Sequence, residues 1–173
     1  MSTTILTHSI RLVLLFTIQV FILNYLEIGY GMQMMIYPLF IMLLPVEMNV
    51  FYLMIIAFGY GAVIDIFSDT FGMHASSAVL FAYFRPIIFK LFAPRDGYEN
   101  LIETNLFQMG FGWFLRTFGI LLLIHHLWFF LLMIFRLSEF LYILRMTGLS
   151  AVVSFILCIL FQQLFLRKQK KDA

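Results

Sequence analysis

Two carboxylates and an imidazole lie within ten residues of one another in a chain that otherwise avoids charge. They belong to Asp65, Asp69 and His74, and only 12% of the 173 residues are charged while 63% are hydrophobic. Soluble domains carry about 25% charged residues. Side chains of these types can bind a metal ion, pass a proton or fix a turn through hydrogen bonds. Because ionisable groups are costly in an apolar environment, the cluster is a candidate functional or architectural site.

The two chemical interpretations of this cluster have little support. A metal site would have few ligands, and their spacing matches no recognised metal-binding motif. A proton or substrate relay would need polar partners elsewhere, for which Gln19, Asn24 and Arg116 are candidates, but no paired arrangement is visible. Arg116 is expected to extend to the membrane surface. His125 and His126 point to different faces of a helix and are expected to pack in the interior. We therefore expect no metal and no cofactor.

The architectural interpretation of the cluster is favoured. Gly61 and Asp65 share one helix face, so a neighbouring helix could come close to the carboxylate. Asp65 and Asp69 would repel each other within one helix. The pattern therefore predicts a helix that ends between them, a turn over 68–72 and a new helix opened by residues 74–75. Asp65 would accept hydrogen bonds that fix this turn, and asparagine is expected to replace it with little effect.

The uncharged runs predict six transmembrane helices in a single domain, residues 1–173. A membrane is crossed by about 20 mostly apolar helical residues, and the apolar/polar alternation of a β-barrel is missing. The fold class is therefore an all-α integral membrane protein. The predicted spans are about 9–26, 30–45, 48–66, 73–92, 112–135 and 147–166. A connection at about 86–105, with Pro86 as a breaker, and a basic tail at 167–173 lie outside them.

Two details of the spans carry further expectations. Pro38 and Pro45 predict a short or kinked second span, because proline removes a backbone donor. Pairs of small residues one turn apart favour close helix packing. These pairs are Ala57 with Gly61, Ala78 with Ala82, and Ser150 with Ser154.

Basic residues predict the orientation of the chain. Eight of the eleven Lys and Arg residues fall on the side that holds both termini, including Arg85 and the tail, and two fall on the other side. Cytoplasmic loops carry the excess of Lys and Arg. Both termini are therefore expected in the cytoplasm, with Asp65 and Asp69 on the outer side.

Composition excludes several classes of function. A net charge of +2 is too small to indicate nucleic-acid binding. The single cysteine, Cys158, allows no internal disulfide. No nucleophile–base pair or carboxylate pair stands out beyond the 65–74 cluster, so the chain is not expected to be an enzyme.

Six short spans and one motif resemble a known family. The pattern G-x-x-x-D-x-x-S-x-x-x-G-x-H-A at the end of the third span is similar to that of the rod shape-determining MreD proteins. The segment 82–86 (Ala-Tyr-Phe-Arg-Pro) resembles Bacteroidetes-type members. The matching motif residues, which are candidates for a structural or partner-binding role, are Gly61, Asp65, Ser68, Gly72, His74 and Ala75.

The resemblance implies a function without catalysis. It implies a multi-pass protein of the bacterial inner membrane that acts as a scaffold of the cell-elongation complex and helps regulate peptidoglycan insertion. The implied partner is MreC, with indirect links to MreB, to RodA and to the partner transpeptidase of RodA, alongside membrane lipid. The implied fold is similar to the substrate-binding subunits of energy-coupling-factor vitamin transporters.

Those subunits supply the alternative function. They dock their coupling subunit through small residues in the first helix, whereas residues 12–23 contain no alanine or glycine. Since close helix docking needs small residues, the sequence argues against a transporter subunit.

Overall fold

Five helices of 19 to 26 residues account for most of the structure. The computed structural model describes residues 2–26, 29, 31–95, 97–98 and 103–166. Within these ranges the helices are α1 (Ser2–Phe21), α2 (Pro38–Leu43), α3 (Val50–Ser68), α4 (Met73–Leu91), α5 (Leu106–Met109), α6 (Phe111–Ile134) and α7 (Phe140–Phe165). A short 3-10 turn at Leu23–Tyr25 follows α1, and another at Leu137–Glu139 precedes α7. No β-strand occurs in the described ranges.

In the part of the chain that the structure describes, four helical stretches are long and apolar enough to cross a membrane. They are Leu6–Tyr25, Val50–Ser68, Phe111–Ile134 and Leu137–Phe165. The chain is therefore an all-α protein with several candidate membrane spans, in agreement with its composition. Helix α4 has the same 19-residue length as α3 but is less apolar, because it carries His74, Arg85 and Lys90.

The second predicted span, 30–45, is not a continuous helix. Residues 32–36 are extended, and only Pro38–Leu43 is helical. Pro38 lies at the first position of α2, where its missing N–H is no loss, and the backbone turns extended again at Leu44. The expected bundle of six helices is thus five long helices around one broken segment, residues 32–44. All residues from 34 to 44 are buried, so this broken segment forms the centre of the bundle.

Two serines of α7 bind the extended part of the broken segment. Ser150 Oγ accepts a hydrogen bond from Gln33 N at 3.0 Å, and Ser154 Oγ accepts one from Met35 N at 2.9 Å. An unpaired backbone group costs several kcal/mol inside a membrane, so these bonds make the extended conformation possible. The serine pair, expected to bring two helices together, instead holds a non-helical backbone.

Gln19 of α1 completes this arrangement from the other side. Its Nε2 donates to the carbonyl oxygen of Met34 at 3.0 Å, and its Oε1 accepts from Ile36 N at 2.9 Å. The amide side chain therefore pairs with the backbone as a neighbouring strand would. Gln19 was a candidate relay residue, and its Nε2 also donates to Oδ1 of Asn24, another candidate, at 3.0 Å.

Helices α3 and α4 form an antiparallel hairpin close to the predicted boundaries. Pro86, expected to break the chain, lies inside α4, which continues to Leu91. The connection predicted from residue 86 therefore begins about one and a half turns later. We call the end of the bundle that holds the α3–α4 turn the hairpin end. At the opposite end of the bundle, Arg11 of α1 forms an ion pair with Glu103 at 2.8 Å.

Candidate functional site

The carboxylate of Asp65 is buried at the hairpin end and accepts three hydrogen bonds. Its Oδ1 accepts from Thr70 Oγ1 at 2.6 Å and from His74 N at 2.9 Å, and its Oδ2 accepts from Ala75 N at 2.9 Å. Both oxygens are therefore occupied by donors of the same hairpin. The sequence predicted that Asp65 would accept hydrogen bonds that fix the turn, and the structure has these bonds.

Asp65 acts as the N-cap of a helix to which it does not belong. The first N–H groups of a helix lack partners within that helix, and a side-chain oxygen usually supplies one. The residue before α4 is Gly72, which has no side chain, while His74 and Ala75 are the second and third residues of α4. The carboxylate from the end of α3 binds both N–H groups and places its negative charge at the positive end of the α4 dipole.

Gly61 lets the two helices come close enough for this cap. A Cβ atom at position 61 would lie 2.5 Å from Ala75 Cα, 2.8 Å from Ala75 N and 2.8 Å from the carbonyl oxygen of His74. All three are backbone atoms, so no side chain can rotate away. The predicted approach of a neighbouring helix at Gly61 is thus present, and the approaching helix is α4.

The turn between the helices follows the sequence prediction. Helix α3 ends at Ser68, and Asp69 adopts the left-handed conformation with φ 52°. Gly72, with φ 87°, has a similar conformation just before α4. Ser68 Oγ accepts a hydrogen bond of 2.7 Å from Asn24 Nδ2, which ties the turn to the end of α1. The helix therefore ends between the two aspartates.

His74 connects the hairpin to the centre of the bundle. Its ring packs on Phe129 with centroids 4.8 Å apart and on Tyr37 with centroids 5.4 Å apart. Its Nδ1 lies 3.3 Å from the Tyr37 hydroxyl. All six motif residues (Gly61, Asp65, Ser68, Gly72, His74 and Ala75) thus belong to one unit, which we call the hairpin joint.

Comparison with known protein families, with curated proteins and with solved structures gives no match for this chain. The family resemblance therefore rests on the motif residues. In the structure, Gly61 and Asp65 lie against backbone atoms of His74 and Ala75, while Ser68 ends α3 and Gly72 precedes α4.

Two histidines of α6 lie inside the bundle, His125 against the broken segment and His126 against α7. His125 Nε2 lies 2.5 Å from the hydroxyl of Tyr37. His126 Nδ1 lies 2.8 Å from the carbonyl oxygen of Leu122, so this nitrogen carries the proton, and Nε2 accepts from Ser154 Oγ at 3.1 Å. Interior packing of this pair was expected, and both side chains are fully buried. The hydrogen bond between His125 and Tyr37 of the broken segment had no counterpart in the sequence pattern.

These polar groups are not arranged as a metal centre. Within the described ranges, no three His, Cys, Asp or Glu side chains are grouped so as to hold a metal ion. The Asp65 oxygens face N–H and O–H donors, which is the arrangement of a helix cap.

Arg85 was counted among the basic residues of the cytoplasmic side, but it lies in the interior. Its guanidinium donates to the carbonyl oxygens of Met42 at 3.1 Å, of Pro45 at 3.3 Å and of Leu44. These carbonyls close the C-terminal end of α2, where the helix dipole is negative. The charge also lies 4.7 Å from the centroid of the Phe89 ring. Arg85 therefore fixes the broken segment at the end opposite to the hairpin joint.

Replacing Arg85 by lysine is expected to destabilise the purified protein. The lysine ammonium keeps the charge but cannot reproduce the planar fork that reaches three carbonyls. At least one buried acceptor loses its donor, at a cost of about 1–2 kcal/mol. The measurement is thermal unfolding in detergent, with Arg116→Lys as the control, because Arg116 is exposed. Equal unfolding temperatures for both variants would contradict this role.

Proposed function

We propose that this chain is a non-enzymatic membrane scaffold of the bacterial cell-elongation complex, similar to the MreD proteins. The observation that carries the proposal is the hairpin joint, in which four of the six motif residues, Gly61, Asp65, His74 and Ala75, are in direct contact. Both oxygens of the Asp65 carboxylate accept hydrogen bonds from its own hairpin. This arrangement suits a rigid assembly surface better than a reacting group.

The proposed partner is MreC, and through it MreB, RodA and the partner transpeptidase of RodA. The proposed location is the bacterial inner membrane with both termini in the cytoplasm, because Lys and Arg concentrate on that side. The hairpin joint then faces outward, where peptidoglycan is assembled.

The transporter alternative has less support. Transporters use broken helices to expose backbone groups and half-helix ends to a substrate. Here side chains of the same chain occupy those groups: Gln19, Ser150 and Ser154 bind the extended part of the broken segment, and Arg85 binds the end of α2. Helix α1 also contains no alanine or glycine for close docking.

Depletion of the protein in its own host tests the proposal. A scaffold predicts that rod-shaped cells become round, and that affinity purification in mild detergent recovers an MreC-type protein. Expression of the wild-type chain from a plasmid should restore the rods. Cells that keep their shape and lose uptake of a vitamin would overturn the scaffold in favour of the transporter subunit.

A further inference from the structure

The outer surface of the hairpin joint carries a groove. It has a volume of about 380 Å³ and is lined on α3 by Phe58, Ala62 and Ile66 and on the turn and α4 by Phe71, Gly72 and Ala75. Phe71 is 97% exposed and Ile66 is 74% exposed, so the rim is apolar and uncovered. The side chains of the floor are small, which lets another backbone approach closely.

The shape of the groove fits an elongated occupant. On α3 the lining runs from Phe58 to Ile66, which is eight residue steps or about 12 Å, and Asp69 to Gly72 extend it into the turn. The part on α3 is about two helical turns long and can contact one side of a transmembrane helix. An acyl chain has a similar length, so the shape alone does not choose between them.

The charge at the end of the groove favours a partner helix. Asp69 lines the groove at the hairpin end, its side chain is exposed, and no described residue forms an ion pair or side-chain hydrogen bond with it. This carboxylate would repel the phosphate of a lipid headgroup. A partner helix with Lys or Arg at the same level would complement it.

We propose that this groove docks one transmembrane helix of a partner protein, with a basic residue of that helix next to Asp69. The inference rests on the proposed function, because a scaffold needs such a surface. It adds the position and the chemistry of the contact: an apolar helix along α3 and α4 and a cation at the hairpin end.

Site-specific photo-cross-linking in native membranes tests the proposal. The photoreactive residue p-benzoylphenylalanine replaces Phe58 or Phe71 in the groove. As controls it replaces Phe51 on the same helix and Phe135 at the same end of the bundle, both exposed and outside the groove. Mass spectrometry identifies the linked peptide. The expected peptide from both groove positions is one apolar helix with Lys or Arg within a turn of its end.

Three substitutions sharpen the result. Asp69→Asn removes the charge in a residue type that tolerates the left-handed conformation, and should lower the cross-linking yield about two- to fivefold. Ala62→Phe fills the groove and should abolish the product, whereas Val63→Phe, on the exposed side of α3, should leave it.

Other linked species would overturn the docking proposal. These are lipid alone, a second copy of this chain, or the same product at equal yield from groove and control positions. Loss of rod shape on depletion together with such a result would leave the scaffold standing without this surface. The expected peptide in cells that keep their shape on depletion would leave the groove standing without the scaffold.

Discussion

Replacing Gly61 by leucine is expected to prevent the folded protein from accumulating in the membrane. Even the first side-chain carbon would lie 2.5 Å from Ala75 Cα and 2.8 Å from two other backbone atoms. Helix α4 would have to move away, and the cap between Asp65 and the start of α4 would break with it. Overpacking costs about 1–3 kcal/mol on its own, and the lost cap adds to that. Size-exclusion chromatography of a fluorescent fusion measures the folded fraction.

Gly59→Leu is the matched control for this substitution. Gly59 lies two residues earlier on α3, and a Cβ there meets no heavy atom within 4 Å. Each variant replaces one glycine of α3 by leucine, so the change in helix propensity is the same. Any difference in folded fraction therefore reports the contact with α4. A folded fraction for Gly61→Leu equal to that of Gly59→Leu would mean that the two helices do not pack at this glycine.

Replacing Asp65 by leucine is expected to give the second large loss of stability. Thr70 Oγ1, His74 N and Ala75 N would lose their acceptor, and each buried unsatisfied donor costs about 1–3 kcal/mol. Asparagine should be intermediate. It retains one oxygen, but its amide group would face a backbone N–H. Thermal unfolding in detergent should rank the proteins as wild type, then Asp65→Asn, then Asp65→Leu.

Asp69→Asn is the control for the Asp65 series. Asp69 is the other acidic residue of the hairpin, and it is exposed. Its replacement should leave the unfolding temperature close to that of the wild type. If Asp65→Leu unfolds at the wild-type temperature, the cap does not stabilise the hairpin.

The hairpin joint could be predicted from the sequence because the residues that determine it are close together in the chain. Repulsion between Asp65 and Asp69 and a glycine one turn before Asp65 indicate where the helix ends and where a neighbour can approach. Both features are in the structure. The number of hydrogen-bond donors to Asp65 could not be predicted. Because there are three, the expected loss of stability for Asp65→Asn changes from mild to clear.

The broken segment could not be predicted from the sequence, because the side chains that stabilise it lie far away along the chain. An apolar run has the same sequence pattern whether it forms a buried helix or a buried extended segment. The deciding factor is the set of hydrogen bonds from Gln19, Ser150 and Ser154, which lie 15 to 119 residues away from the backbone atoms that they bind. Arg85 was misplaced for the same reason, since its carbonyl partners are about 40 residues earlier.

Rescue of rod shape by the Asp65 variants, measured together with the amount of folded protein in the membrane, distinguishes an architectural hairpin joint from one whose charge acts in the function. We propose that the joint is architectural and that the chain acts as a scaffold. Cells depleted of the wild-type protein would express Asp65→Asn or Asp65→Leu. Rescue is expected to follow the amount of folded protein for both variants. An Asp65→Asn protein that folds to the wild-type level and leaves the cells round would contradict it, because the carboxylate charge would then act in the function itself.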